Sequence, residues 1–167
     1  MKKYFGTDGI RGIPNENLTK EIVSNVACSV EEILKPTSVA VILDTRNSSV
    51  EILDWICEGF SENIEVINYG VLPSGSMPVL LNHFGHNLGI VISASHNPSE
   101  YNGIKLIDEN GSKLQDEIEL AIESNIENIS SMCFLSLGKL FSSSSFFKTV
   151  FLSFYFTGIS CKKACLF

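Results

Sequence analysis

The chain has 167 residues, with 12 Lys and Arg against 19 Asp and Glu, a net charge of −7 and a pI near 4.9. That length gives one ordinary domain, or a domain with a tail, able to bury a core without a disulfide or metal staple. The acidic balance disfavours a nucleic-acid or anionic-membrane surface, and 44% hydrophobic content argues against wholesale disorder. The five Cys form no Cys-x-x-Cys pair and read as free thiols of a reducing cytoplasm.

Lys2 and Lys3 lead into Tyr4, Phe5 and a Gly-rich polar run, which is not the pattern of a secretory signal. No stretch has the roughly 18 consecutive apolar residues of a membrane-spanning helix, so no membrane partner is expected. Residues 19–35 read as a helix: Thr19 is the N-cap, and Ile22, Val23, Val26, Ala27, Val30, Ile33 and Leu34 make one apolar stripe before Pro36. Val39 to Leu43 is a continuous apolar run, the mark of a strand covered on both faces. A second helix runs from Ser48 or Ser49, either of which could cap it, to about Phe60, followed by a short strand from Ile64 to Ile67. Pro78 to Phe84 reads as a helix with Pro in its first turn, Leu88 to Ile92 as a third strand and Ile104 to Ile107 as a fourth. Asp108 to Gly111 is a turn, and Asp116 to about Ile129 an amphipathic helix carrying Ile118, Leu120, Ala121, Ile122 and Ile126. Cys28 and Cys57 are expected to be buried on apolar helix faces, and His83 and His86 to be surface or packing residues.

Alternating strands and helices predict a three-layer α/β/α domain with a mainly parallel mixed sheet. In such sheets ligands gather at the carboxyl ends of the strands. Two polar loops leave from there: Asp44-Thr45-Arg46, and Ser93 to Asn102.

The composition breaks near residue 130. All 19 acidic residues lie in 1–129, whereas 130–167 holds none, four Lys, nine Ser and eight of the 11 Phe. The expected division is therefore a domain over 1–129 and a Phe/Ser-rich tail over 130–167. The tail could be an interfacial anchor or extra strands. The absence of a period of 2 or 3.6 favours out-of-frame translation that specifies no fold.

Four segments could carry chemistry. In Gly6-Thr7-Asp8-Gly9-Ile10-Arg11-Gly12 the glycines let backbone approach a ligand, and Arg11 offers a donor fork suited to phosphate; the plainer reading is a surface loop with Asp8 and Arg11 paired. Ser93-Ala94-Ser95-His96-Asn97-Pro98 is an exposed, stiff loop whose Ser-His pair could attack, hold phosphate or shuttle a proton. With 22 Ser in the chain such a pair also arises by chance, and no Gly-x-Ser-x-Gly elbow surrounds Ser95. Lys105, in Asn102-Gly103-Ile104-Lys105, lies on an apolar strand, either at a sheet edge or facing an anion. Arg46 could add a guanidinium at the same end of the sheet, or pair locally at a helix start.

Taken together, Tyr4 to Gly12, Val91 to Pro98 and Asn102 to Lys105 resemble, in order and spacing, the first domain of the bacterial phosphohexomutases, most closely the phosphoglucosamine mutase branch. The resemblance implies a cytoplasmic isomerase that interconverts glucosamine 6-phosphate and glucosamine 1-phosphate, on the route to cell-wall precursors. It implies that Ser95 carries the phosphoryl group and, once phosphorylated, contributes to a Mg²⁺ site. Arg11, His96 and Lys105 would surround the transferring phosphate, with Lys105 or His96 helping proton transfer, and Arg46 and Asn97 would join Arg11 and Lys105 in binding phosphate and substrate. The implied partners are a phosphosugar and a sugar bisphosphate activator. Two details depart from the family: Ile42-Leu43 replaces a Gly-basic pair, and Ser74-Gly75 replaces Thr-Pro. The family's Asp-x-Asp-x-Asp metal loop and its sugar-selecting domains are absent from the sequence. A frameshift near residue 140 would account for tail and truncation together, and the chain alone is expected to be inactive. The competing expectations are a phosphomannomutase/phosphoglucomutase, a non-catalytic fragment and an unrelated Ser hydrolase.

Overall fold

The computed structural model describes residues 2–141 and 164–165, with side chains described for 2–129. Six strands, β1 (Ile10–Gly12), β2 (Ser38–Leu43), β3 (Glu65–Val71), β4 (Leu88–Ile92), β5 (Asn102–Asp108) and β6 (Ala164–Cys165), form one sheet in the order β1-β5-β4-β2-β3-β6. The helices are α1 (Lys20–Leu34), α2 (Ser49–Gly59), α3 (Met77–Phe84) and α4 (Asp116–Phe141). Strands β4, β2 and β3 are parallel; β5 runs antiparallel to β4, and β1 antiparallel to β5. This is the mixed α/β/α sheet expected from the alternation of elements.

The helix boundaries follow local chemistry. The Thr19 hydroxyl accepts from the Ile22 N–H at 3.3 Å, and α1 ends where Lys35 turns left-handed (φ 49°) ahead of Pro36. At α2 the expected serine cap is not formed: Ser48 has helical backbone angles (φ −79°, ψ −6°) and not the extended ones of a capping residue, and its Oγ accepts a hydrogen bond from Asn102 Nδ2 at 2.9 Å. Helix α4 runs past the expected end at Ile129 to Phe141; no Pro interrupts it, and its only Gly is Gly138. Residues 142–163 and 166–167, most of the expected tail, lie outside the described residues.

Strands β2 and β4 are buried on both faces, as their unbroken apolar runs require. Val39, Val41, Leu43, Ile90 and Ile92 face the core beneath α1, α2 and α4, while Ala40, Ile42 and Val91 pack with Met77 and Leu81 of α3. Strand β3 differs from expectation: it is only half-buried and continues four residues beyond Ile67. The extension crosses a bulge, since Val41 pairs with Asn68 but Leu43 with Val71. Gly70 supplies the positive φ of 75° there, and Asn68 Oδ1 accepts its N–H at 2.8 Å.

Two expectations about single residues are corrected. Cys28 is exposed and Cys57 half-buried, because the inward face of α1 is Val23, Val26, Ala27, Ser29 and Val30 and that of α2 is Ile52, Leu53, Trp55 and Ile56. His86 is a packing residue, as one reading held. It is buried between Ser38 Oγ and the Tyr69 hydroxyl (2.7 Å), and burial pushes its pKa down.

Strand β1 has no signal in the sequence, since three residues are too few to show a period. It depends on Gly9, whose φ is 96° and where a Cβ would lie 2.2 Å from the Ile104 carbonyl oxygen. Gly9→Ala is therefore expected to cost roughly 2–4 kcal/mol, combining left-handed strain with a backbone clash. Denaturant unfolding checks this: the midpoint should fall with the slope unchanged.

Candidate active site

The carboxyl ends of β2 and β4 open onto a cleft of about 910 Å³ whose walls include Ser95, Asn97, Ser93, Arg46, Asp44 and Glu51. The loop after β4 carries three of the sequence candidates. Ala94 is fully buried, whereas Ser95 and His96 are exposed. Ser95 has a left-handed backbone (φ 57°), which sets it at the vertex of the turn, and its N–H donates to Ser93 Oγ at 2.9 Å. No hydrogen bond joins Ser95 to His96, so no serine–histidine couple of the hydrolase type is assembled on this loop.

Arg46 closes the floor of this loop. Its Nε donates to Asp44 Oδ2 at 2.9 Å, and its two terminal nitrogens donate to the carbonyls of Pro98, Tyr101, Ser95 and Asn97 at 2.5, 2.7, 3.0 and 2.8 Å. The helix-start ion pair that competed with phosphate binding is thus present, and all five N–H groups of the guanidinium are engaged within the chain. Burial alone would raise the Asp44 pKa. The Arg46 backbone N–H, the Ser93 and Ser49 hydroxyls and the Arg46 guanidinium outweigh it and hold the carboxyl below its ordinary value.

Arg11 and Lys105 meet on the neighbouring strands. Arg11 pairs across the sheet with Gly103, so Lys105, two residues further along β5, shares its face. Asp8 Oδ2 accepts from an Arg11 terminal nitrogen at 2.7 Å and from Lys105 Nζ. Strand β1 pairs with β5 over Asn102–Ile104 and stops one residue short of Lys105, which stands just past its end and is held with an anion, Asp8. A Cβ on Gly103 would lie 2.9 Å from Arg11 Cγ and 2.6 Å from the Ile10 carbonyl oxygen, so glycine is needed for Arg11 to cross β5. Arg11 Nε is buried with no acceptor among the described residues, a donor suited to an incoming anion. The two groups adjoin through Gly103, whose carbonyl accepts the Ser93 N–H at 2.9 Å. Arg11, Lys105 and His96 are not among the walls of the cleft itself.

The described residues do not by themselves form a Mg²⁺ site. They contain no group of three or more His, Cys, Asp or Glu able to hold a metal ion, and both oxygens of Asp44, the carboxylate beside the Ser95 loop, are engaged by Arg46 and Ser49. Among the described residues no helix is long and apolar enough to cross a membrane.

Sequence reasoning missed Glu119 and Glu123 of α4, which are buried and fasten the N-terminal segment leading to Asp8 and Arg11. A signal was available: Glu119, Ile122, Glu123 and Ile126 share one helical stripe, and a carboxylate in an apolar stripe implies a donor opposite.

Residues 2–132 match the family model for the phosphoglucomutase/phosphomannomutase alpha/beta/alpha domain I. The phosphoglucosamine mutase of Clostridioides difficile is 40% identical over 144 residues, covering 83% of this chain and 32% of that protein. That of Alkaliphilus metalliredigens is 46% identical over 133 residues, covering 77% and 30%. The fold is shared with a phosphoglucomutase/phosphomannomutase family protein of Burkholderia thailandensis, with a TM-score of 0.61, 21% identity and coverage of 78% of this chain and 31% of that one. The chain thus spans about a third of the length of the curated relatives it matches. Over that span it belongs to the phosphoglucomutase/phosphomannomutase family, a family of phosphohexomutases, of which it supplies the α/β/α domain I.

Proposed function

We propose that the domain carries the phosphoryl relay of a phosphoglucosamine mutase, with Ser95 as the residue that gives and regains the group. The observation that carries this reading is Ser95 itself: exposed, at φ 57°, on a loop at the carboxyl ends of the parallel strands. In the first half-reaction the Ser95 Oγ–P bond breaks as a free sugar hydroxyl oxygen forms a new O–P bond and loses its proton. In the second, the sugar bisphosphate returns its other phosphoryl group to Ser95. The phosphate moves between the 6 and 1 positions without net consumption of donor.

The domain's part is positioning and charge neutralisation. Arg11, with its unpartnered Nε, and Lys105 supply positive charge. Asp8 holds the two cations together until a more highly charged phosphate competes for them. His96 or Lys105 serves the proton, and Asn97 presents an amide to the cleft. A phosphosugar substrate, a sugar bisphosphate activator, Mg²⁺ held largely by residues outside this span, and a cytoplasmic setting complete the reading. Glucosamine phosphate is preferred over mannose or glucose phosphate because the relatives named here are phosphoglucosamine mutases. With about a third of a relative's length and no metal ligand set among the described residues, the 167-residue chain alone is inactive.

The test is a chimaera in which residues 2–132 replace the matching domain of the Clostridioides difficile relative. It is expected to interconvert glucosamine 6-phosphate and glucosamine 1-phosphate and to carry phosphate on Ser95 by mass spectrometry. A folded chimaera that isomerises without phosphate on Ser95 would refute the relay.

A further inference from the structure

The geometry points to Arg46 as a positioning residue, whose guanidinium holds Ser95–Tyr101 in the shape that presents the Ser95 hydroxyl. Its functional consequence rests on the reading of Ser95 above; the clamp itself does not.

One planar group accounts for four main-chain carbonyls spread over seven residues, those of Ser95, Asn97, Pro98 and Tyr101. The loop has little else to hold it. Its other bonds are Asn97 N–H to the Ala94 carbonyl and Tyr101 N–H to the Pro98 carbonyl, both at 3.1 Å, and Ser95 N–H to Ser93 Oγ at 2.9 Å. The clamp is in turn oriented by buried scaffold. Asp44 accepts from Arg46 Nε and from the Arg46 N–H (3.0 Å), and its Oδ1 also accepts from Ser49 Oγ at 2.9 Å. Ser49 Oγ accepts from Asn102 Nδ2 at 3.1 Å, and Asn102, fully buried, starts the strand to which the loop returns. Departure and return of the loop are therefore referred to one network at the start of α2.

A guanidinium engaged in this way has no N–H left for a phosphate, which separates Arg46 from Arg11 with its buried, unpartnered Nε. The geometry also requires arginine. A lysine ammonium has three donors on a point charge and cannot reproduce a planar fork reaching four carbonyls and a carboxylate. The side chain is only 12% exposed, and its bonds to Asp44, Tyr101 and Asn97 are part-buried while those to Pro98 and Ser95 lie at the exposed surface of the loop.

The test is amide hydrogen exchange on the 167-residue chain, comparing Arg46 with Arg46→Lys and Arg46→Ala. Both variants are expected to speed exchange across 95–101 about tenfold or more while β2 and β4 stay within about twofold, and millimolar methylguanidinium is expected to slow the loop again in Arg46→Ala. In the chimaera, Arg46→Lys is expected to lower kcat about 100-fold with KM nearly unchanged, as for a misplaced reacting group. Unchanged loop exchange in Arg46→Ala, full restoration by lysine, or a raised KM at constant kcat overturns the clamp. Should Arg46→Ala unfold throughout, Asp44→Asn carries the test: it keeps the guanidinium but removes the charge that orients Nε, and an undisturbed loop there also overturns it. If the chimaera proves inactive while the loop opens as expected, the clamp stands and the mutase reading falls.

Discussion

Ser95→Ala in the chimaera is expected to lower isomerisation roughly 10⁴-fold or more, the scale on which removing a covalent nucleophile acts. The other two serines of the loop are placed differently. Ser93 is buried and its Oγ accepts the Ser95 N–H, and Ser99 stands beyond Pro98. Mass spectrometry and a coupled assay for glucosamine 1-phosphate read the outcome, and turnover that survives Ser95→Ala would end the relay reading.

Stability separates the hydroxyl from the backbone that presents it. At φ 57° every residue with a Cβ is strained, whereas glycine is not. In the 167-residue chain Ser95→Gly is therefore expected to be more stable than Ser95→Ala by about 1 kcal/mol, although neither relays phosphate in the chimaera. Equal melting of the two would show that the left-handed turn is not maintained. A serine kept where glycine fits better marks a place where presentation of a side chain has outweighed local stability.

The parts of this fold that can be read from sequence are those where one residue type answers to one environment. Val39–Leu43 and Leu88–Ile92 are legible because only a strand covered on both faces tolerates five apolar residues in succession. Thr19 is legible because a hydroxyl ahead of an apolar stripe has one obvious use. The reverse holds for Arg46: an arginine at the carboxyl end of a strand looks the same whether it reads phosphate oxygens or carbonyl oxygens, and only the loop's path decides. Strand β1 is hidden because its pairing is set by the close approach of Gly9 to Ile104 and not by a pattern within three residues. The N-terminal fastening is hidden by distance, since the partners of Lys2 and Lys3 lie 114 to 124 residues away.

That fastening gives the second large effect. Glu123 is buried, and its carboxylate accepts the backbone N–H groups of Lys3 (2.9 and 2.8 Å), Tyr4 and Phe5 (2.7 Å). Beside it, Glu119, also buried, pairs with Lys2 and with Lys113 at 3.2 Å. Glu123→Ala leaves three main-chain donors without their acceptor and is expected to cost about 3–5 kcal/mol; Glu123→Gln, which keeps one acceptor oxygen, should cost less. Burial alone would raise the Glu123 pKa, but the three N–H donors and Lys2 outweigh it and hold the carboxyl below its ordinary value. A depressed carboxyl contributes stability that is fully present above the unfolded pKa, about 4.3, and is lost as pH falls through the folded value. Acid unfolding should therefore steepen below about pH 4 in the parent chain and flatten in Glu123→Gln, read by circular dichroism at fixed denaturant. An unaltered acid limb would place the fastening elsewhere. The residues held there lead within a few positions to Asp8 and Arg11, so α4 fixes from the far end of the sequence where the site's cations stand. The chimaera carrying Glu123→Gln should accordingly lose phosphate affinity before it loses its fold.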